Sequence, residues 1–315
     1  MSFIIASQFE DGFNDNLRAL PLRPTVIVAP EDAPWQAAND ADVLLVRPTA
    51  AWRGNRNLPC PEAWPGRIRY VYSGSAGVDP YPRWLLDAPL VSCGRGVASD
   101  EIADYVIAAI YAQAKNLDGV RARSLADWKQ TSLGRVSGST VGIIGLGAIG
   151  AAVARQALAL GAKVTAVRRR QLPSPVAGVA LLDNVEDVVA SADHLVLALP
   201  ATDVTRKLVG KDLLAHAKPT AHLINIARGS VLDQDALIAA LDAGRLGFAT
   251  LDVTDPEPLP AGHPLWSHDL VRLTPHVSSN YRQVRHILFD KVVANLDRFS
   301  RGELPTDLVD RVAGY

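Results

Sequence analysis

The sequence predicts an α/β protein made of two doubly wound parallel-sheet domains, and three observations carry that expectation. Short apolar, β-rich runs alternate with helix-length segments through most of the 315 residues; strands spaced in this way are joined by helical crossovers and lie parallel. One long helical pattern, over 99–117, interrupts the alternation and divides the chain. Just after that division a glycine-rich turn sits directly between a strand and a helix. At roughly 100–200 residues per domain, the length is that of two domains.

In order along the chain, the first half supplies strand candidates at 3–6, 25–29, 43–46, 68–72 and 90–93. Pro/Gly-rich connections and short amphipathic stretches separate them. The helix over 99–117 opens at Ser99, expected as its N-cap, and Asp100 and Glu101 suit the positive end of the helix dipole. Ile102, Val106, Ile110 and Leu117 follow helical spacing. A polar stretch, 118–139, then carries a lone Trp128. A cleaner alternation begins at Thr140, with a strand over 140–145, a helix over 148–160 and a strand over 163–167. Further strands are expected at 194–199, 222–226, 247–253 and 271–274, and helices around 185–190, 233–243 and 281–300. The last helix has no strand left to follow in the second unit and is expected to pack back on the first. The first domain is then discontinuous, 1–96 with 285–315, and the second spans 97–284.

Composition excludes several classes. With 32 Lys plus Arg against 33 Asp plus Glu, the net charge is −1, which leaves no overall basic field for nucleic acid or anionic lipid. The two cysteines, Cys60 and Cys93, form neither a disulfide framework nor a CxxC metal spacing. The first apolar run ends at Gln8-Phe9-Glu10-Asp11, too short for a secretion signal, and no uninterrupted apolar run reaches the ~18 residues of a membrane-spanning helix. The expectation is a cytoplasmic protein with no metal and no nucleic-acid or membrane partner.

The glycine-rich turn, Gly145-Leu-Gly147-Ala-Ile-Gly150, matches GxGxxG and follows the apolar strand TVGII. Gly145 permits the tight turn, Gly147 lacks the Cβ that would block a pyrophosphate, and Gly150 allows close helix–strand packing. The helix that starts at Ala148 and Ile149 offers free N–H groups and a positive dipole to phosphates. This predicts a Rossmann-like dinucleotide site. An NAD site usually carries an acid ~20 residues on, to accept from the ribose 2′-hydroxyl. Here the next strand runs into Arg168-Arg169-Arg170. Guanidinium groups bind a 2′-phosphate bidentately. A run of arginines is also a common solvated surface, but its position and the missing acid favour NADPH.

Three further segments carry polar residues where strands end. In Asn225-Ile-Ala-Arg228-Gly229-Ser230, Arg228 is placed to project outside the carboxyl ends of the strands, where open α/β sheets bind ligands; a surface salt bridge is its alternative role. In Asp252-Val-Thr-Asp-Pro256-Glu257-Pro258, Glu257 lies between prolines and cannot belong to a helix interior, although such acids are often simple loop residues. In Thr274-Pro-His276-Val-Ser-Ser279, His276 ends a strand and precedes a helix. A lone histidine is more often structural, whereas one paired with a glutamate is a usable proton donor.

Taken together, the segments Ser73-Gly-Ser-Ala-Gly-Val-Asp79, 140–150, Leu199-Pro200, 224–232, 251–258 and Thr274-Pro-His276 resemble the D-2-hydroxyacid dehydrogenase family, over nearly the whole chain. By that resemblance Arg228 holds the substrate carboxylate and polarises the keto group, His276 is the general acid/base, and Glu257 orients it. Asp252 lies beside the nicotinamide carboxamide, and Pro200, Thr205 and Ala227 join the cofactor-binding positions. Ser75 and the backbone of Ala76 and Gly77 meet the substrate. The resemblance also implies a discontinuous, flavodoxin-like substrate domain, a cleft that closes on the cofactor, and a homodimer joined mainly through the cofactor domain, with the 118–139 stretch in that contact. Arg168 departs from the family's commoner acid, so NADPH is expected to be preferred, with NADH possible. With no extension after Tyr315, the expected substrate is glyoxylate, hydroxypyruvate or a related 2-keto acid rather than that of the longer phosphoglycerate dehydrogenases. Two alternatives remain: an NAD(P)-sensing corepressor-like binding protein, and an NAD-dependent 2-hydroxyacid dehydrogenase that tolerates Arg168. Arg47, after the strand at 43–46, either tunes substrate choice or is an ordinary surface residue.

Overall fold

In the computed structural model, which describes residues 3–54, 57–117, 119–170 and 172–315, every paired strand runs parallel to its neighbour. Asp118, where the polar stretch begins, lies outside the described residues. The chain order starts β1 (Ile4–Ser7), α1 (Asp11–Arg18), β2 (Thr25–Val28), β3 (Val43–Val46), α2 (Ala50–Gly54), β4 (Tyr70–Ser73), α3 (Arg83–Leu86) and β5 (Leu90–Cys93). It continues α4 (Ser99–Lys115), β6 (Thr140–Ile144), α5 (Ala148–Ala159), β7 (Lys163–Val167), β8 (Val179–Leu181), α6 (Val185–Ser191) and β9 (His194–Leu197). The remainder is α7 (Lys211–Leu214), β10 (His222–Asn225), α8 (Gln234–Asp242), β11 (Phe248–Leu251), β12 (Val271–Leu273) and α9 (Tyr281–Ser300). These elements fall into two units, Met1–Val97 with Tyr281–Tyr315, and Ala98–Asn280.

The first unit is a five-stranded sheet of order β2-β1-β3-β4-β5, the flavodoxin-like order. Strand β3 (VLLV) is buried at all four positions, as expected where both faces of a parallel sheet are covered. One face is packed by α1 through Phe13 and Leu17 and by α9 through Val284, Leu288, Val292 and Leu296. Phe13 meets Phe289 edge-on at 5.1 Å, and Phe3 meets Phe299 at 5.8 Å. The other face holds Trp52, Tyr81, Trp84 and Leu85 in one buried cluster.

The second unit is a seven-stranded sheet of order β12-β11-β10-β9-β6-β7-β8, the dinucleotide-binding order extended by one strand, whose direction of winding reverses between β6 and β9. Alternate strand residues serve opposite faces. Val141, Ile143, Val196 and Ile224 pack with α4 and α5, whereas Leu195, Leu197, Leu223 and Leu251 pack with α6, α7 and α8.

The structure departs from the sequence reading in detail. The N-cap of α4 is Ala98; Ser99 is its first helical residue and is buried, with no partner for its hydroxyl. The helix stops at Lys115 because Asn116 adopts the left-handed conformation, φ 37°, a common helix terminator. Helices α2, α3 and α7, of four or five residues, are too short to leave a readable period, whereas α1 is the amphipathic stretch between the first two strands, burying Phe13 and Leu17. Residues 121–135 are all exposed, with one 3-10 turn at Leu125–Asp127 as their regular structure. No helix among the described residues is long and apolar enough to cross a membrane, and no three of their His, Cys, Asp and Glu side chains are grouped so as to hold a metal ion.

Candidate active site

The carboxyl ends of the second unit's strands carry most of the candidate residues. At the end of β6, Gly145 has φ 103°, and a Cβ there would sit 2.5 Å from the Ala198 carbonyl oxygen. A Cβ on Gly150 would lie 2.2 Å from the Gly145 oxygen, so this glycine is fixed by helix–strand packing. A Cβ on Gly147 would meet nothing within 4 Å. Nothing in the protein requires a glycine there, which is what a cradle for an external group predicts. Gly147 is also the N-cap of α5 and places no side chain over the helix end. The first N–H groups, at Ala148, Ile149 and Gly150, have no intrahelical acceptor and, with the helix dipole, suit an anionic pyrophosphate.

At the end of β7, Arg168 donates to the Pro173 carbonyl at 3.1 Å, and Arg169 and Arg170 are exposed. After β9, the Thr205 hydroxyl folds the loop back onto the Pro200 carbonyl at 2.7 Å. After β10, the buried Asn225 accepts from the Ala227 N–H at 3.1 Å and donates to the Arg228 carbonyl at 3.0 Å, which sets the turn. The Arg228 guanidinium donates to the Ala227 carbonyl at 2.8 Å. At Gly229, a Cβ would lie 1.9 Å from the Thr254 carbonyl carbon. The Arg228 turn therefore passes backbone against backbone over the loop that carries Glu257.

That second loop follows β11. Gln234 at the start of α8 clamps it, donating to the Asp255 carbonyl (2.8 Å) and accepting from the Asp255 N–H (2.9 Å). Glu257 Oε1 lies 2.8 Å from His276 Nδ1, and both side chains are part-exposed. His276 is held at φ 53°, a conformation costing a non-glycine residue roughly 1–2 kcal/mol. Asp252, 1% exposed, supplies the restraint. Its carbonyl accepts from the His276 N–H at 2.9 Å. Its carboxylate accepts from the Val277 and Ser278 N–H groups, both at 2.9 Å, and from the Thr274 hydroxyl at 2.6 Å.

In the first unit the turn after β4 holds Ser75, Ala76 and Gly77. The Ser75 hydroxyl donates to the Gly77 carbonyl at 2.8 Å and lies 3.0 Å from that of Ser73, while Ala76 is exposed. Arg47 follows β3, exposed and 3.8 Å from Glu31.

Residues 107–278 match the family "D-isomer specific 2-hydroxyacid dehydrogenase, NAD binding domain". The chain belongs to that family. A glyoxylate/hydroxypyruvate reductase A from Serratia proteamaculans is 31% identical to it, covering 89% of this chain and 90% of its own. A D-isomer specific 2-hydroxyacid dehydrogenase from Xanthobacter autotrophicus Py2, solved with NADPH and MES, is 27% identical, with a TM-score of 0.83 over 100% of both chains. An NADPH-dependent glyoxylate/hydroxypyruvate reductase from Sinorhizobium meliloti, solved with NADP and sulfate, is 25% identical, with a TM-score of 0.78 over 99% of both chains. Like the rest of its family, this 2-hydroxyacid dehydrogenase is an NAD(P)-dependent oxidoreductase.

Among the dehydrogenase's candidates, the structure brings together His276, Glu257 and Asp252, and lays the Arg228 turn on the Glu257 loop. Sequence reasoning missed the supports Asn225, Gln234 and Thr274, and also Tyr105, whose hydroxyl lies 2.6 Å from that of Thr274. Asn225 and Thr274 stand inside the matching segments, but Gln234 reads as an ordinary first-turn residue and Tyr105 as one more position on a helix.

Proposed function

We propose that the chain reduces a small 2-keto acid of the glyoxylate or hydroxypyruvate type to the D-2-hydroxy acid, using NADPH in preference to NADH. The observation that carries this reading is the 2.8 Å pair of His276 and Glu257 on a loop pinned by Asp252. A carboxylate at Nδ1 holds the proton on that nitrogen and leaves Nε2 as the atom that exchanges a proton with the substrate oxygen. The planar fork of Arg228 suits the substrate carboxylate, and its charge opposes the negative charge that grows on the keto oxygen. The bound nicotinamide supplies the hydride. Gly145, Gly147, Ala148, Ile149 and Gly150 take the pyrophosphate, Arg168 and Arg169 the 2′-phosphate, and Asp252 the nicotinamide carboxamide, while Pro200, Thr205 and Ala227 complete the cofactor-binding positions. Ser75, Ala76 and Gly77 take the substrate carboxylate.

Steady-state rates with glyoxylate, hydroxypyruvate, pyruvate and phenylpyruvate, each with NADPH and NADH, test the reading. Substituting His276→Ala is expected to cost on the order of 10²–10⁴ in kcat; an unchanged rate overturns the assignment. Arg168→Asp is expected to reverse the preference for NADPH, and an unaltered kcat/KM ratio for the two cofactors refutes the role of the arginines.

The same reading makes the enzyme a cytoplasmic homodimer. Leu125 and Trp128, 92% and 82% exposed on the 121–135 segment, are large apolar side chains of the kind that second copies cover. Light scattering is expected to give twice the chain mass, and Leu125→Ser with Trp128→Ser to give the monomer.

A further inference from the structure

The His276 loop hangs on Asp252, and the Asp252 carboxylate hangs in part on Thr274. Thr274 has a single hydroxyl proton and donates it to Asp252 Oδ1 at 2.6 Å. The other short contact of that hydroxyl, 2.6 Å to the Tyr105 hydroxyl, must then run from the tyrosine. The polarity of the chain is fixed: Tyr105 donates to Thr274, Thr274 donates to Asp252, and Asp252 receives the N–H groups of the two residues after His276. Tyr105 stands on α4, far from the catalytic segments in sequence, and its part-buried ring packs against the core on the α4 face of the sheet.

We propose that Tyr105 is a positioning residue for His276, its hydroxyl holding Thr274 turned toward Asp252 and so fixing the loop that aims the imidazole. The inference rests on the proposed role of His276 as proton donor. Burial pushes the Tyr105 hydroxyl up from its ordinary value, with the bond to Thr274 acting in the opposite direction, so it is protonated and able to donate throughout the neutral range.

The experiment is a cycle of Tyr105→Phe, Thr274→Val and the double variant, with Thr274→Ser as the conservative control. Each is measured for kcat, KM, the pH dependence of kcat, thermal midpoint and hydrogen–deuterium exchange of residues 274–279. Tyr105→Phe is expected to lower kcat about three- to thirtyfold through misalignment, with KM changed less than twofold and a displaced pH profile. Exchange at 276–278 rises. The double variant is no worse than Thr274→Val, because both remove one chain of bonds, while Thr274→Ser retains the rate. Additive losses, or no rise in exchange on removing the Tyr105 hydroxyl, overturn the proposal. A rise in exchange with kcat and its pH profile unmoved also overturns it as a catalytic device. His276→Gln then separates the two failures, since a retained rate in that variant refutes the proton-donor reading itself.

Discussion

At the residue scale, the site depends on close approaches that single atoms would block. Gly229 is the clearest case, because an added Cβ would fall 1.9 Å from one Thr254 backbone atom and 2.1 Å from another. No side-chain rotation relieves a clash between backbones, so Gly229→Ala must separate the Arg228 turn from the Glu257 loop. A displacement near 1 Å costs on the order of 10²-fold in rate where geometry is the source of catalysis. Gly229→Ala is therefore expected to lower kcat/KM about a hundredfold or more, while cofactor binding, read by fluorescence titration, changes little. A rate within twofold of the parent would show that Arg228 and Glu257 do not act together.

At the element scale, the turn between β6 and α5 separates two kinds of glycine. Gly147→Val adds a side chain where nothing lies within 4 Å. It should leave the melting temperature within about 2 °C and weaken cofactor binding at least tenfold, as expected if a pyrophosphate occupies that space. Gly150→Val forces an atom to 2.2 Å from the Gly145 oxygen and should destabilise the fold by ~1–3 kcal/mol. Equal melting losses in both variants would remove the distinction. The motif was legible because its strand, glycines and helix are contiguous, and the segments ending at Arg228, Glu257 and His276 are equally local. Their supports were not: Tyr105 meets Thr274 from 169 residues away, and Gly229 meets Thr254 only once β10 and β11 are paired. Among the elements, β8 is an edge strand with two of its three residues exposed, so it leaves no buried apolar run to read.

The same sheet makes a pH prediction. His194 and His222 are register partners on β9 and β10, with ring centroids 5.7 Å apart. Burial lowers both from the ordinary 6.5; His194 and Arg272 push His222 further down, while Asp193 draws His194 partly back. The unfolded chain, titrating near the ordinary value, then takes up these protons first as the pH falls. Stability is fully present above about pH 7 and is lost as the pH drops below about 6.5 toward the lower folded values. A melting temperature that is flat from pH 8 to 7 and declines toward pH 5 is expected. His194→Phe, which keeps the ring contact without that titration, should make the decline shallower and leave the part due to His222. The opposite slope would mean that the imidazoles are charged in the fold.

At the scale of the whole molecule, the two units differ in how the chain builds them. The second is one continuous stretch, Ala98–Asn280, whereas the first needs Tyr281–Tyr315 to return to Met1–Val97. What returns is structural. Val284, Leu288, Val292 and Leu296 of α9 are buried, and at ~1.5–3 kcal/mol for each buried aliphatic side chain their loss is of order 10 kcal/mol. That equals the whole stability of an ordinary domain, ~5–15 kcal/mol. The buried Asn295 adds a polar tie, accepting from the Thr306 N–H at 2.6 Å. A chain cut after Asn280 is therefore expected to lose the first unit as a cooperative fold and keep the second. Calorimetry should record one transition instead of two, or a smaller single one, and the truncated chain should still bind the nicotinamide cofactor through the turn at Gly145–Gly150 of its second unit. If the truncated chain keeps the full unfolding enthalpy, α9 is an accessory to the first unit and not part of its core.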